Sequence, residues 1–200
     1  AAAAGASPAA AATPAFPDAK KLDALMAQYA PVDLKVDLSK LTDADKHVLK
    51  KLIEASHVMD KIFLRQVWSG NPAMLEQLQK DTTPLGKARL AFFLQNAGPW
   101  DRLDDNKVFI PGAPVKKPPQ AGFYPDDATK DEVAKWMSSL KPKEQEKAKG
   151  FFSVIERDPK TGFKVVPYSQ SYHDDLVQAS KLLNEAASLT KDASLKSFLD

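Results

Sequence analysis

The chain has 200 residues at 21.9 kDa, and with 44% of them hydrophobic it can close a core in one large domain or two small ones; wholesale disorder is excluded. Lys and Arg number 28 against 26 Asp and Glu, so a net charge of +2 provides no broad field for capturing nucleic acid or an anionic membrane. There is no cysteine, which excludes disulfides, thiolate nucleophiles and sulfur-ligated zinc, and leaves three histidines, His47, His57 and His173, for metal or acid-base chemistry.

Residues 1–17, AAAAGASPAAAATPAFP, hold ten alanines and three prolines without a single charge. Such a stretch has too little side-chain variety to pack and too many prolines to stay helical, so a disordered tether is expected. It lacks the basic and long apolar regions of a signal peptide, and no run of 18 apolar residues spans a membrane anywhere in the chain. An Ala/Pro-rich start is what often remains once an export signal is removed. With the absence of Cys it points to a periplasmic or secreted home, although a cytoplasmic protein can share both features.

From Asp18 the pattern turns helical, with Leu22, Leu25, Met26 and Tyr29 on one face of a short helix that ends near Pro31. Thr42 and Asp45 form a capping-box start to a longer helix whose apolar stripe runs from Val48 to Val67. Asn71-Pro72 and Thr83-Pro84 each read as a cap followed by proline at the first helical position, the second helix running to Gly98. Residues 97–128 contain six prolines, spaced so that nothing longer than a short strand fits, and are expected to form a long loop. Trp100, Leu103, Val108, Phe109, Ile110, Phe123 and Tyr124 argue that this loop packs onto something.

Thr129 and Glu132 open a further helix, Pro142 another that stops at Gly150, and the apolar runs 151–155 and 163–166 flank turn residues in a β-hairpin. Helical spacing returns from about Ser171 to Leu189, and Asp192 caps a last helix that meets no stop signal before Asp200, so the architecture is expected to be incomplete at its C-terminus. The fold class expected for 18–200 is mainly α with a small β-hairpin, that is α+β.

No two of the eight glycines lie closer than ten positions apart, which excludes a dinucleotide fingerprint, a P-loop and a G-x-S-x-G nucleophile elbow. None of the histidines has a second histidine four residues on, so the H-E-x-x-H zinc helix is missing. His57 and Asp60 can pair on one helix face, but no nucleophile stands near them in sequence, and His47 and His173 fit surface and capping roles in the first turns of their helices. The adjacent acids Asp104-Asp105, Asp126-Asp127 and Asp174-Asp175 diverge on any regular element, and only the first pair, inside the long loop beside Trp100 and Asn106, keeps a functional reading.

Four segments in order, PVDLKVDLSKLTDADKHVLKKLIEASHVMDKIFLRQVWSGNP, NAGPWDRLDDNKVFIPGAP, GFYPDDATKDEVAKWM and FKVVPYSQSYHDDLVQASKLLNEAASLTKDASLKSFL, resemble the N-terminal portion of bacterial members of the dipeptidyl peptidase III family, over roughly residues 30–200. The resemblance implies the helical N-terminal lobe of a two-lobed zinc peptidase that releases dipeptides from the N-terminus of short peptides, with the peptide substrate held between the lobes. The family's H-E-x-x-x-H helix and downstream glutamate are absent, since no His-Glu pair occurs in the chain. Zinc in the parent protein is therefore expected on ligands outside this chain, in a C-terminal zinc lobe on the same or a separate polypeptide, and the chain alone is expected to be inactive. The stretch from Asn96 to Phe109 resembles a family loop that faces the cleft. Asn96 and Gly98 match it, Trp100 sits at an aromatic position, and Leu103 stands where eukaryotic forms carry an aromatic. The resemblance implies that Asn96, Asp105 and Asn106 hydrogen-bond an extended peptide while Trp100 and Leu103 line a side-chain pocket. The rival reading is a non-catalytic tethered helical module that docks a protein partner through the aromatic loop.

Overall fold

The computed structural model describes residues 16–200. Of the tether expected over 1–17, residues 1–15 lie outside the described residues. Helix α1 (Ala19–Met26) begins where the Asp18 carboxylate accepts from the Lys21 N–H, and α2 (Asp43–Val67) begins at a full capping box in which Thr42 and Asp45 satisfy each other's backbone. Helix α3 (Asn71–Lys80) corrects one expectation. Gly70, not Asn71, precedes its first turn, and Asn71 is fully buried inside the helix with its amide turned to other work. Helix α4 (Pro84–Asn96) starts at Thr83, whose hydroxyl accepts from the Gly86 N–H, and it ends two residues before Gly98 because Ala97 takes the left-handed conformation, φ 52°.

The long loop holds a minimal antiparallel ladder, β1 (Trp100–Asp101) with β2 (Lys107–Val108). It is followed by α5 (Lys130–Ser139), α6 (Pro142–Ala148), and the hairpin β3 (Ser153–Asp158) and β4 (Gly162–Pro167). Its register runs from Ser153 opposite Pro167 to Asp158 opposite Gly162, and Asp158 closes the turn by accepting from the Lys160 and Thr161 N–H groups. The strands start later than the apolar run, and Phe151 and Phe152 stand exposed before them. A single turn, α7 (Tyr168–Ser171), then leads to α8 (His173–Leu189) and α9 (Ala193–Leu199), the last capped by Asp192 as expected.

Three apolar clusters hold these elements. Leu22, Met74, Leu78, Phe92, Phe93, Phe109 and Ile110 join α1, α3 and α4 to the stretch after β2, and full burial of a phenylalanine such as Phe92 or Phe93 is worth about 2–3 kcal/mol. Val154 and Val166 on one face of the hairpin meet Ile62 and Tyr172, while Ile155 and Phe163 on the other meet Val133 and Ala148. The hairpin is thus covered on both sides, which is why its strands read as continuous apolar runs and not as alternation. Helices α2 and α8 run antiparallel, pinned at one end by Lys51 to Glu185 at 2.7 Å and at the other by Arg65 to Asp175 at 2.8 Å. Arg65 also donates to the Ser171 carbonyl at 2.9 Å and stacks over the Tyr172 ring. Asp175 lies in the first turn of α8, where the helix dipole favours a carboxylate. Among the described residues no helix is long and apolar enough to cross a membrane.

Candidate functional site

The hairpin that leaves α4 is built from the inside outward. Asn96, 3% exposed, donates through Nδ2 to the Phe92 carbonyl at 3.0 Å, and its Oδ1 accepts from the Arg102 N–H at 3.0 Å and from the Tyr29 hydroxyl at 3.5 Å. Most buried amide groups are bonded in this way. Asn71 Nδ2 grips the next residue, donating to the Ala97 carbonyl at 3.2 Å and to the Leu64 carbonyl at 3.0 Å, so the ends of α2 and α4 share one clamp. Trp100, 2% exposed, sends its indole N–H to the Pro114 carbonyl at 3.0 Å and meets Trp68 edge-on at 5.2 Å. The Phe109 N–H donates to the Pro99 carbonyl at 3.0 Å and closes the base of the ladder.

Above that base, Asp101 is also buried, and its Oδ1 accepts from the Leu103 N–H at 3.0 Å. The tip then projects into solvent. Leu103 is 58% exposed, Asp104 and Asp105 are exposed, and Asn106 is half-buried. Asp105 and Asn106 lie one after the other in the left-handed region, at φ 46° and 56°. Asp and Asn tolerate that conformation better than other residues with a side chain, whereas glycine adopts it freely. Partial burial, then the nearby positive charge of Arg102, hold the Lys117 ammonium below its ordinary pKa.

The five residues singled out in the sequence therefore fall into two groups. Leu103, Asp105 and Asn106 share the exposed tip. Asn96 and Trp100 lie beneath it, their polar atoms bonded within the chain. Tyr29, Asn71 and Asp101 complete the support and were not singled out. The sequence did carry a signal for Asp101, an acid two residues before Leu103 as an Asx-turn requires, but none for Tyr29, which lies in the bend after α1 and not on the helix expected to run to Pro31, nor for Asn71, which arrives from α3.

The remaining candidates separate as their spacing requires. Asp126 accepts from the Ser69 hydroxyl at 2.6 Å while Asp127 pairs with Arg157 at 2.9 Å, so the two carboxylates share nothing. His57 Nδ1 stands 3.4 Å from Asp60 on an open surface, and His47 Nδ1 contacts the Asp43 carbonyl within its own helix. No group of three His, Cys, Asp or Glu able to hold a metal occurs among the described residues. Away from the tip, Tyr124, Val133 and Met137 line a mainly apolar groove of about 400 Å³ between the second half of the long loop and α5, with Gln120, Thr129 and Lys130 also on its wall.

No family model matches the chain. Among solved structures, dipeptidyl-peptidase III from Corallococcus sp. strain EGB superposes with a TM-score of 0.87 at 51% identity, over 92% of this chain and 34% of that one. DPP III from Caldithrix abyssi gives a TM-score of 0.80 at 37% identity, over 88% of this chain and 33% of that one. Nudix hydrolase 3 of Arabidopsis thaliana is 32% identical over 220 residues, 86% of this chain and 28% of the plant protein. The chain thus matches dipeptidyl-peptidase III over most of its own length and spans about a third of the solved chains.

Proposed function

We propose, from its homology to part of dipeptidyl-peptidase III, that this chain is the N-terminal, substrate-binding lobe of a zinc-dependent peptidase that releases dipeptides from short peptides. The observation that carries the reading is the 51% identity to that peptidase over 92% of the chain. The zinc does not fit the residues present, because the described residues bring no three ligands together and no His-Glu pair exists in the sequence. Its ligands belong to a second lobe, on the same or a separate polypeptide, and this chain alone hydrolyses nothing.

What this chain supplies is position. The tip offers an apolar surface at Leu103 beside the carboxylate of Asp105 and the amide of Asn106, a set that matches an extended peptide with a side chain to shelter and backbone N–H and C=O groups to bond. Asn96 and Trp100 act one step back, fixing the base so that the tip meets the peptide in one orientation, which is where a binding wall contributes to rate.

The test is the metal content and activity of the complete encoded polypeptide. One zinc per chain, with dipeptide release from peptide arylamides, supports the reading. Absence of both favours the docking module, in which the same tip binds a protein partner. Turnover by the purified 200-residue chain without zinc overturns the assignment of chemistry to another lobe.

A further inference from the structure

Between α1 and α2 the chain runs Pro31-Val-Asp-Leu-Lys-Val-Asp-Leu38, apolar at every second position. The structure leaves it without helix or strand partners, and Val32, Leu34, Val36 and Leu38 are 76%, 91%, 78% and 42% exposed. No backbone N–H from Val32 to Leu38 donates to another backbone group among the described residues. The polar residues alternate with the apolar ones, and Lys35 reaches Asp33 at 3.5 Å as neighbours on one face of an extended chain do. The side chain of Asp37 accepts from the Ser39 N–H and ends the run with a turn. Strict alternation over seven residues is the pattern of a strand with one buried face, yet here both the ladder and the covering layer are missing.

We infer that Val32–Leu38 is a strand that adds to the edge of a β-sheet carried by the rest of the polypeptide, its Val32, Leu34, Val36 and Leu38 face sealing that sheet's core. The inference rests on the reading of this chain as part of a longer peptidase. The solved relatives are about three times the length of the match, so most of their polypeptide lies outside the region this chain represents. The chain's own sheets do not supply the edge: the β1–β2 ladder is two residues long, and β3 and β4 are paired with each other and covered on both faces. A second copy is disfavoured by charge, because full antiparallel overlap sets Asp33 against Asp37 and Lys35 against Lys35. An edge strand with an apolar inner face and open N–H and C=O groups satisfies both demands at once, as strand addition does elsewhere.

Hydrogen exchange read by mass spectrometry, on the complete polypeptide and on the 200-residue chain, tests this. Amides 32–38 should exchange at least about 100-fold more slowly in the complete protein than in the chain alone. Leu34→Asp with Val36→Asp should abolish that protection and lower the melting temperature of the complete protein, while leaving that of the 200-residue chain unchanged. Should the double variant fail to fold in the complete protein, Leu34→Thr alone is read in the same way. Equal exchange in both proteins overturns the inference, as does protection already present in the monomeric 200-residue chain. Protection that rises with the concentration of that chain assigns the strand to a second copy and also overturns it. Zinc content and dipeptide release measured on the same samples keep the two readings apart: a protected strand without zinc sinks the peptidase and leaves the strand, and an active zinc enzyme with unprotected amides does the reverse.

Discussion

Replacing Asn96 by alanine should loosen the whole hairpin without touching its tip. The substitution removes the Nδ2 bond to the Phe92 carbonyl and the Oδ1 bond from the Arg102 N–H, both at 3.0 Å, together with the longer contact to the Tyr29 hydroxyl. Each bond contributes about 1 kcal/mol net, and a backbone N–H left unpaired in a part-buried site costs about as much again, so the expected loss is about 3 kcal/mol. At 2–4 °C per kcal/mol for a chain of this size, the melting temperature should fall by roughly 6–12 °C. Urea denaturation should show a lower midpoint at unchanged slope, and exchange at Arg102–Lys107 should quicken more than exchange in α8. Asn96→Asp keeps the acceptor for Arg102 but sets a buried carboxylate against the Phe92 carbonyl, so it should destabilise at least as much as alanine. An alanine variant within about 0.5 kcal/mol of the parent would refute the clamp and with it the role of Asn96 as the foundation of the loop.

Three further outcomes follow from geometry elsewhere. Gly122 donates its N–H to the Gln66 carbonyl at 2.8 Å, and a Cβ on it would overlap the Arg65 carbonyl oxygen, so Gly122→Ala should cost about 2 kcal/mol by urea denaturation. Ala97→Gly relieves a left-handed alanine at φ 52° and should stabilise by about 0.5–1 kcal/mol, read as a higher melting temperature. The Arg157 guanidinium holds the carboxyls of Glu132 and Asp127 below their usual range. The unfolded chain then binds more protons, so the stability this pair provides is present above the ordinary carboxylate pKa and is lost as pH falls through the lowered values. Arg157→Gln should accordingly flatten the acid limb of the stability curve, and added salt should shrink the difference between the two proteins.

Sequence legibility followed the range of the interactions. The caps at Asp18, Thr42, Thr83, Thr129 and Asp192 are local, three residues apart at most, and each starts its helix where the sequence places it. The mainly helical fold and the existence of the hairpin were legible for the same reason, since periodicity and turn chemistry are short-range signals, although its strands run over 153–158 and 162–167 and not from Phe151. Asn71 was misread because a cap and a buried clamp look alike until α2 and α4 are brought together, and Leu64 and Ala97 are 7 and 26 residues away. The second ladder, β1 with β2, was hidden because two-residue strands carry no period. Within the candidate loop the sequence could not sort its residues: Leu103 and Asp105 face solvent and Asn106 is half-buried, while Trp100 packs on Trp68, a distinction made by packing 32 residues apart in the chain.

The claim that this chain is a peptide-binding wall is tested most directly by steady-state kinetics of the complete, zinc-loaded protein carrying Leu103→Ser, Asp105→Gly and Asn106→Gly. Glycine keeps the left-handed tip unstrained, so melting temperature and zinc content should hold while kcat/KM for a short peptide falls by about tenfold or more, chiefly through KM. An unchanged kcat/KM, with the tip stripped of its side chains, would contradict the account.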